Sequence, residues 1–293
     1  MLWLALAVAC SLAIAVLFKL SERRALDRTA LLTVNYAVAG GLSLVVLGGG
    51  RAAPEVGLIA LGVATGVLFI AGFYVFAFAI REAGMGLAAG VMRLAVVLPF
   101  LASWLVWGEE PTSGQLVGLG LAGVAFVLLA RRAAEPGRPE AGGPSRPAAD
   151  ARTFTALALL FLAGGTVDVA LKLFDEAFAG PDSRPFFLLL VFGVAFLVGL
   201  GLVGRRGVRT GRWPRPVVLA WGAALGLVNY GSVEFILRAL EGLDGTFVFP
   251  ANNVAIVMGA ALLGVGVWGE RLTRWNWLGL GLAALALVFL APR

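Results

Sequence analysis

Thr246–Arg274 reads TFVFPANNVAIVMGAALLGVGVWGERLTR. It opens on a Pro250-Ala251-Asn252-Asn253 cluster, runs through a long apolar body and closes on Trp268-Gly269-Glu270-Arg271. The stretch Gly90–Pro111 has the same layout, with Arg93 near its start and Trp107-Gly108-Glu109-Glu110 at its close. A shift of about 161 residues lays Trp107-Gly108-Glu109 on Trp268-Gly269-Glu270, and Gly118 and Gly120 on Gly279 and Gly281. A second match links Val16-Leu17-Phe18-Lys19-Leu20 to Val169-Ala170-Leu171-Lys172-Leu173. The chain therefore reads as a duplication.

Composition decides the medium. Hydrophobic residues make up 60% of the 293 and charged residues 14%, with a mean hydropathy of +0.94. Soluble domains are about 45–50% apolar and about 25% charged, so this is an integral membrane protein. Small residues let membrane helices approach closely, which suits the 40 glycines. The net charge of +6 comes from arginines scattered between apolar runs, not gathered on one basic face, so nucleic acid is not an expected partner. The single cysteine, Cys10, precludes an intramolecular disulfide. The absence of His removes most zinc sites and imidazole acid–base chemistry. No GxxxxGK[ST] loop is present, so neither ATP nor another cofactor is expected. The apolar start lacks a basic leader and is taken as a first span.

A span needs about 20 mostly apolar residues. Ten such stretches are found, near 2–19, 29–48, 56–80, 84–106, 113–130, 153–174, 186–204, 216–239, 246–268 and 274–291. Each must be helical, because lipid offers no partner to open backbone groups. The Pro/Gly/Arg-rich segment 131–152 reads as a flexible connector. It separates residues 1–130 from 153–293, five spans each. An odd number of spans per repeat makes the second repeat enter from the opposite side. The expected fold is all-α, ten transmembrane helices in two inverted five-helix repeats. Loops after odd-numbered spans carry about seventeen Lys and Arg against about four on the other side, which places both termini outside the cell.

These features resemble the EamA-like branch of the drug/metabolite transporter superfamily. The resemblance rests on Gly108-Glu109 and Gly269-Glu270-Arg271-Leu272, each closing a long helix and each followed by a Gly-rich one. The positions Gly164 and Lys172, and in part Ser11 and Lys19, add to it. It implies a secondary carrier of small metabolites in a bacterial plasma membrane, with a cavity lined by spans 1, 3, 4, 6, 8 and 9. It also implies cytoplasmic termini, opposite to the arginine count. Two departures stand out: Glu110-Pro111 faces Arg271-Leu272, and span 1 has no glutamate.

Ionisable residues inside spans are costly and are candidates for function by default. On span 8, Tyr230, Glu234 and Arg238 follow at i, i+4 and i+8 beside Asn229. Glu234 is a partner for a substrate amine or a proton-coupled carboxylate, or else it only neutralises Arg238. On span 6, Asp168 and Lys172 have the spacing of a mutual pair. Lys19 and Lys172 are candidates to close the two ends of a pathway. On span 9, Asn252 and Asn253 can satisfy backbone freed by Pro250, or a ligand. Arg93 can fork onto a carboxylate or phosphate, or snorkel to the interface. Tyr74, with Phe69 and Phe73, is a candidate cavity lining. Glu109 and Glu270 are read as structural helix-end residues. The expectation is alternating-access transport of a small polar or drug-like compound, with protons or Na+ as possible coupling ions. The alternatives are a flippase for a lipid-linked carrier and a non-transporting membrane scaffold, with a membrane enzyme ranked behind both.

Overall fold

A computed structural model describes residues 1–48, 55–130, 151–180, 182–211, 213–269 and 272–291. The described residues form helices α1 (Leu2–Arg23), α2 (Arg28–Leu47), α3 (Val56–Ala83), α4 (Met85–Leu94), α5 (Val97–Leu105), α6 (Ser113–Ala130), α7 (Ala151–Phe178), α8 (Ser183–Thr210), α9 (Val217–Leu240), α10 (Gly245–Trp268) and α11 (Arg274–Leu290). The chain is an all-α membrane protein. Seven of these helices are long and apolar enough to cross a bilayer, and Gly90–Leu105, Ser113–Leu129 and Arg274–Leu290 are shorter apolar stretches. The connector falls almost wholly outside the described residues, as do Glu270 and Arg271.

One expected span is not continuous. Residues 84–106 divide into α4 and α5, with a break at Ala95-Val96. Pro99 is the cause. It has no N–H for the Ala95 carbonyl, which instead accepts from Leu98 at 3.0 Å in a tighter turn.

Two compact units are present, and each takes helices from both halves of the sequence. The first comprises Met1–Ala71 and Val169–Leu243, the second Gly72–Asp168 and Asp244–Arg293. In the first unit α2 packs against α8 and α9, and α1 packs on α9. Phe192 is fully buried there, with Tyr36 at 6.4 Å and Phe69 edge-on at 6.0 Å. In the second unit α6 packs on α11, and α10 lies against α5, α6 and α11.

The duplication appears in the packing itself. In the second unit, a Cβ on Gly118 would stand 2.8 Å from Leu290 Cγ and 3.1 Å from the Ala286 carbonyl. One on Gly279 would stand 3.0 Å from Leu129 Cγ and 3.2 Å from the Ala125 carbonyl. The sequence shift carries Leu129 onto Leu290 and Ala125 onto Ala286, so the two contacts are the same contact made twice, in exchanged roles. The start of each helix meets the end of the other. An antiparallel pair with exchanged contacts has a local two-fold axis perpendicular to its helices, the relation expected of inverted repeats. The helix starts match as well. Thr112 and Gln115 cap α6 reciprocally, and Thr273 and Asn276 do the same for α11.

The first unit repeats the device. Gly66 on α3 would place a Cβ 2.6 Å from the Val191 carbonyl oxygen and 2.8 Å from Val194 on α8. Gly226 on α9 would place one 2.6 Å from the Asn35 carbonyl oxygen and 2.8 Å from Val38 on α2. Gly62 and Gly222 stand four residues earlier in the same helices, forming two small-xxx-small faces that bring the backbones together.

Candidate functional site: two polar clusters, one in each unit

Each Trp-Gly-Glu signature ends a helix. Gly108 and Gly269 have φ of +71° and +64°, left-handed values that glycine adopts without steric cost. The turn at Gly108 turns Glu109 toward the second unit's interior. Its Oε2 accepts the backbone N–H of Thr246 at 2.9 Å, in the first turn of α10. Glu109 therefore serves as a helix-end residue, supplying an acceptor and a negative charge to an N-terminus that needs both. Thr246 is buried, so water cannot replace that acceptor.

That anchored helix presents Asn253 eight residues inside α10, about 12 Å from its start. Asn253 Nδ2 donates to the Phe249 carbonyl at 3.1 Å, and its Oδ1 accepts from Arg93 Nη1 at 3.2 Å. Arg93 lies on the last turn of α4, two residues before the helix break. Asp168 on α7 is near enough for its charge to act on the Arg93 guanidinium, at a distance longer than an ion pair. Gly164 and Gly165 bring α7 this close: a Cβ on Gly165 would lie 2.8 Å from the Ala95 carbonyl oxygen and 2.5 Å from Leu98. Asp168 is far from both ends of its 28-residue helix, so the cluster is at depth, not at the surface. Beside it, Asn252 Oδ1 is buried with no hydrogen-bond partner among the described residues. The second unit thus holds a cation, an anion and two carboxamides at one depth, beside a discontinuous helix. A buried charge needs hydrogen bonding and compensation, and Arg93 has the Asn253 amide as its bonded partner with the Asp168 charge nearby.

The polar residues of α9 fall elsewhere. Glu234 is buried and accepts from Arg238 Nε at 2.6 Å and from Arg184 Nη1 at 3.2 Å. Arg184 also pairs with Glu241, and Arg238 lies 4.7 Å over the Trp3 ring, which stacks on Phe235 at 5.7 Å. Arg184 belongs to the first turn of α8, Arg238 to the last turn of α9, and Trp3 to the first turn of α1. The cluster therefore fastens three helices at one end of the first unit. Tyr230 and Asn229 lie one turn further in, half-buried, with no hydrogen bond among the described residues.

The expected Asp168–Lys172 pair gives way to a pairing of Lys172 with later acids of the same helix. Lys172 is buried and bonds Glu176 Oε1 at 2.6 Å, with Asp175 Oδ2 at 3.7 Å, all near the C-terminal end of α7. Acids at i+3 and i+4 reach it along its own helix face, while Asp168 makes no ion pair among the described residues. Lys19 is half-buried near the C-terminal end of α1, where it is engaged by neighbours. Asp27 at the start of α2 pairs with Arg206 near the end of α8 at 2.8 Å, which sets Lys19 and Lys172 at opposite ends of the first unit. Tyr74 is 43% exposed and meets Phe73 edge-on at 5.7 Å.

Four participants escaped sequence inspection. Arg184 and Glu241 looked like loop charges, and only the antiparallel placing of α8 and α9 brings them to Glu234. Asp175 and Glu176 carried a usable signal, their i+3 and i+4 spacing from Lys172. Among the described residues no group of three or more His, Cys, Asp or Glu could hold a metal ion.

Comparison with known proteins agrees with this architecture. A solved crystal structure of a protein matches with a TM-score of 0.72 at 15% identity, covering 98% of this chain and 94% of its own. An uncharacterized protein of Haemophilus influenzae is 24% identical over 292 residues, 97% of this chain and 94% of that protein. The EamA-like transporter family model matches residues 1–131. Residues 1–131 of this multi-pass membrane protein are thus similar to the EamA-like transporter family.

Proposed function

We propose that the chain is a secondary transporter that moves a small polar metabolite by alternating access, with Arg93, Asp168, Asn253 and Asn252 as the substrate-binding group. The observation that carries this is the Arg93–Asn253 hydrogen bond at depth, with Asp168 nearby and the α4–α5 break beside it. Transporter sites commonly use discontinuous helices near the bilayer midplane, where freed backbone groups meet the ligand. Mixed charge favours a zwitterion: a carboxylate on the Arg93 fork and an ammonium on Asp168. The match of residues 1–131 to a transporter family model supports transport over catalysis.

The Glu234–Arg184–Arg238 network acts as a fastening at one end, with Tyr230 and Asn229 facing any ligand that passes it. Lys19 and Lys172 border the two ends of the pathway. The arginine-rich end of the first unit faces the cytoplasm of a bacterial plasma membrane, which leaves both termini outside. A proton or Na+ gradient, or exchange, drives the cycle.

The test is a thermal-shift screen of the purified chain against amino acids, sugars, nucleotides and organic cations, followed by counterflow in proteoliposomes. A bound ligand at a hundredfold excess over Kd stabilises by about 2.7 kcal/mol. A zwitterion that shifts the wild type, but neither Arg93→Lys nor Asp168→Asn, supports the assignment. A ligand whose shift survives both substitutions refutes it.

A further inference from the structure

Helix α8 is longer than a bilayer needs. Its 28 residues span about 42 Å against a hydrocarbon core of about 30 Å. The excess lies at its C-terminal end, because Phe186–Val203 is apolar while the final turns carry Arg205, Arg206 and Arg209. All three are exposed, as is Arg215 just beyond.

The overhang is built, not frayed. Gly211 ends the helix at φ +65° and its N–H bonds the Gly207 carbonyl at 2.8 Å. The chain then folds back so that Trp213 lies on Gly207, where a Cβ would be 2.9 Å from the indole ring. The ring stays 64% exposed, and Val208 beside it is 81% exposed. The Asp27–Arg206 pair draws the α1–α2 turn, with Arg23, alongside this overhang. Arg24 there stacks on Trp221 at 4.9 Å. Asp27 and Glu22 neutralise Arg206 and Arg28, whereas Arg23, Arg205, Arg209 and Arg215 have no acidic partner among the described residues.

We propose that this end of the first unit is a binding surface for anionic phospholipid headgroups. Trp213 and Val208 enter the interface, and Arg205, Arg209, Arg215 and Arg23 take the phosphates. Exposed tryptophan beside unpaired arginines suits that boundary, since the ring prefers the headgroup level and the guanidinium fork matches a phosphate. Juxtamembrane arginines attract acidic lipid individually, each worth about fivefold in binding.

The experiment reconstitutes the full chain in phosphatidylcholine vesicles containing increasing fractions of acyl-brominated phosphatidylglycerol. The quenching lost in Trp213→Phe isolates the Trp213 signal from the other tryptophans. The expected result is Trp213 quenching at phosphatidylglycerol fractions well below those that quench the remaining tryptophans. That preference should fall by about fivefold or more in Arg205→Gln/Arg209→Gln/Arg215→Gln. The matching triple Lys variant retains it, which separates loss of charge from loss of fold. Quenching that follows the bulk lipid fraction overturns the proposal, as does a Gln variant with an unchanged preference. Displacement of the lipid by millimolar inorganic phosphate would make the site one for a soluble anion, and also overturns it.

Discussion

The Glu109 carboxylate bonds the buried backbone N–H of Thr246 across 137 residues of sequence, tying the α5–α6 turn to the first turn of α10. Because Asn253 lies two turns further along the same helix, this bond sets the register in which the amide meets Arg93. Glu109→Ala should destabilise the protein by about 1 kcal/mol, the usual cost of losing a helix cap. Glu109→Gln, which keeps an acceptor, should recover much of it. Melting of the purified variants checks this: equal melting temperatures for Ala and wild type would show that water substitutes for the carboxylate.

Helix approach in the first unit depends on two glycines against backbone. Gly66→Ala and Gly226→Ala each put a methyl 2.6 Å from a carbonyl oxygen, which α8 and α2 can relieve only by moving. Each should cost about 1–3 kcal/mol. Gly41→Ala, with nothing within 4 Å, should be neutral. Since alanine is the better helix former, a gain at all three positions would mean that helix propensity outweighs packing.

Arg93 and Asp168 should behave as a coupled pair. Arg93→Met removes the Asn253 hydrogen bond and the charge acting on Asp168, and should cost less than a broken contact pair, which is worth about 3–5 kcal/mol. The double change Arg93→Met/Asp168→Leu should recover most of that stability while ligand response stays absent. A stability cycle compared with ligand-induced shifts on the same proteins reads both. Additive losses in the double variant would dissolve the pair.

Glu234 accepts from two guanidinium groups at one end of its unit, so its role is to neutralise and fasten. Glu234→Gln should lower stability by about 1.5–3 kcal/mol, the range for hydrogen bonds to charged groups. The pH profile of transport should be unchanged. A flattened profile would instead make Glu234 the proton-coupling carboxylate.

Lys172 illustrates how far the sequence could be followed. Its presence within an apolar run marked it for attention, but the acid-before-base spacing of Asp168 suggested the wrong partner. Side chains on one helix choose among several neighbours at i±3 and i±4, and the choice depends on what other helices bring. Lys172 pairs with Asp175 and Glu176, one turn further along its own helix.

The sequence by itself determined the medium, the helical class and the duplication. Hydropathy over some twenty residues is a local property, and a repeated Trp-Gly-Glu is visible without coordinates. It also marked the residues that are costly to bury. Tertiary structure decided which of them meet. It placed Glu234 at an end and Arg93 at depth, made Glu109 a cap for a helix more than a hundred residues away, and paired Gly118 with Leu290 as Gly279 is paired with Leu129. Those relations depend on which helix faces lie against each other. Lipid solvates every apolar face equally, so only close packing of small residues and the satisfaction of buried polar groups distinguish one arrangement from another.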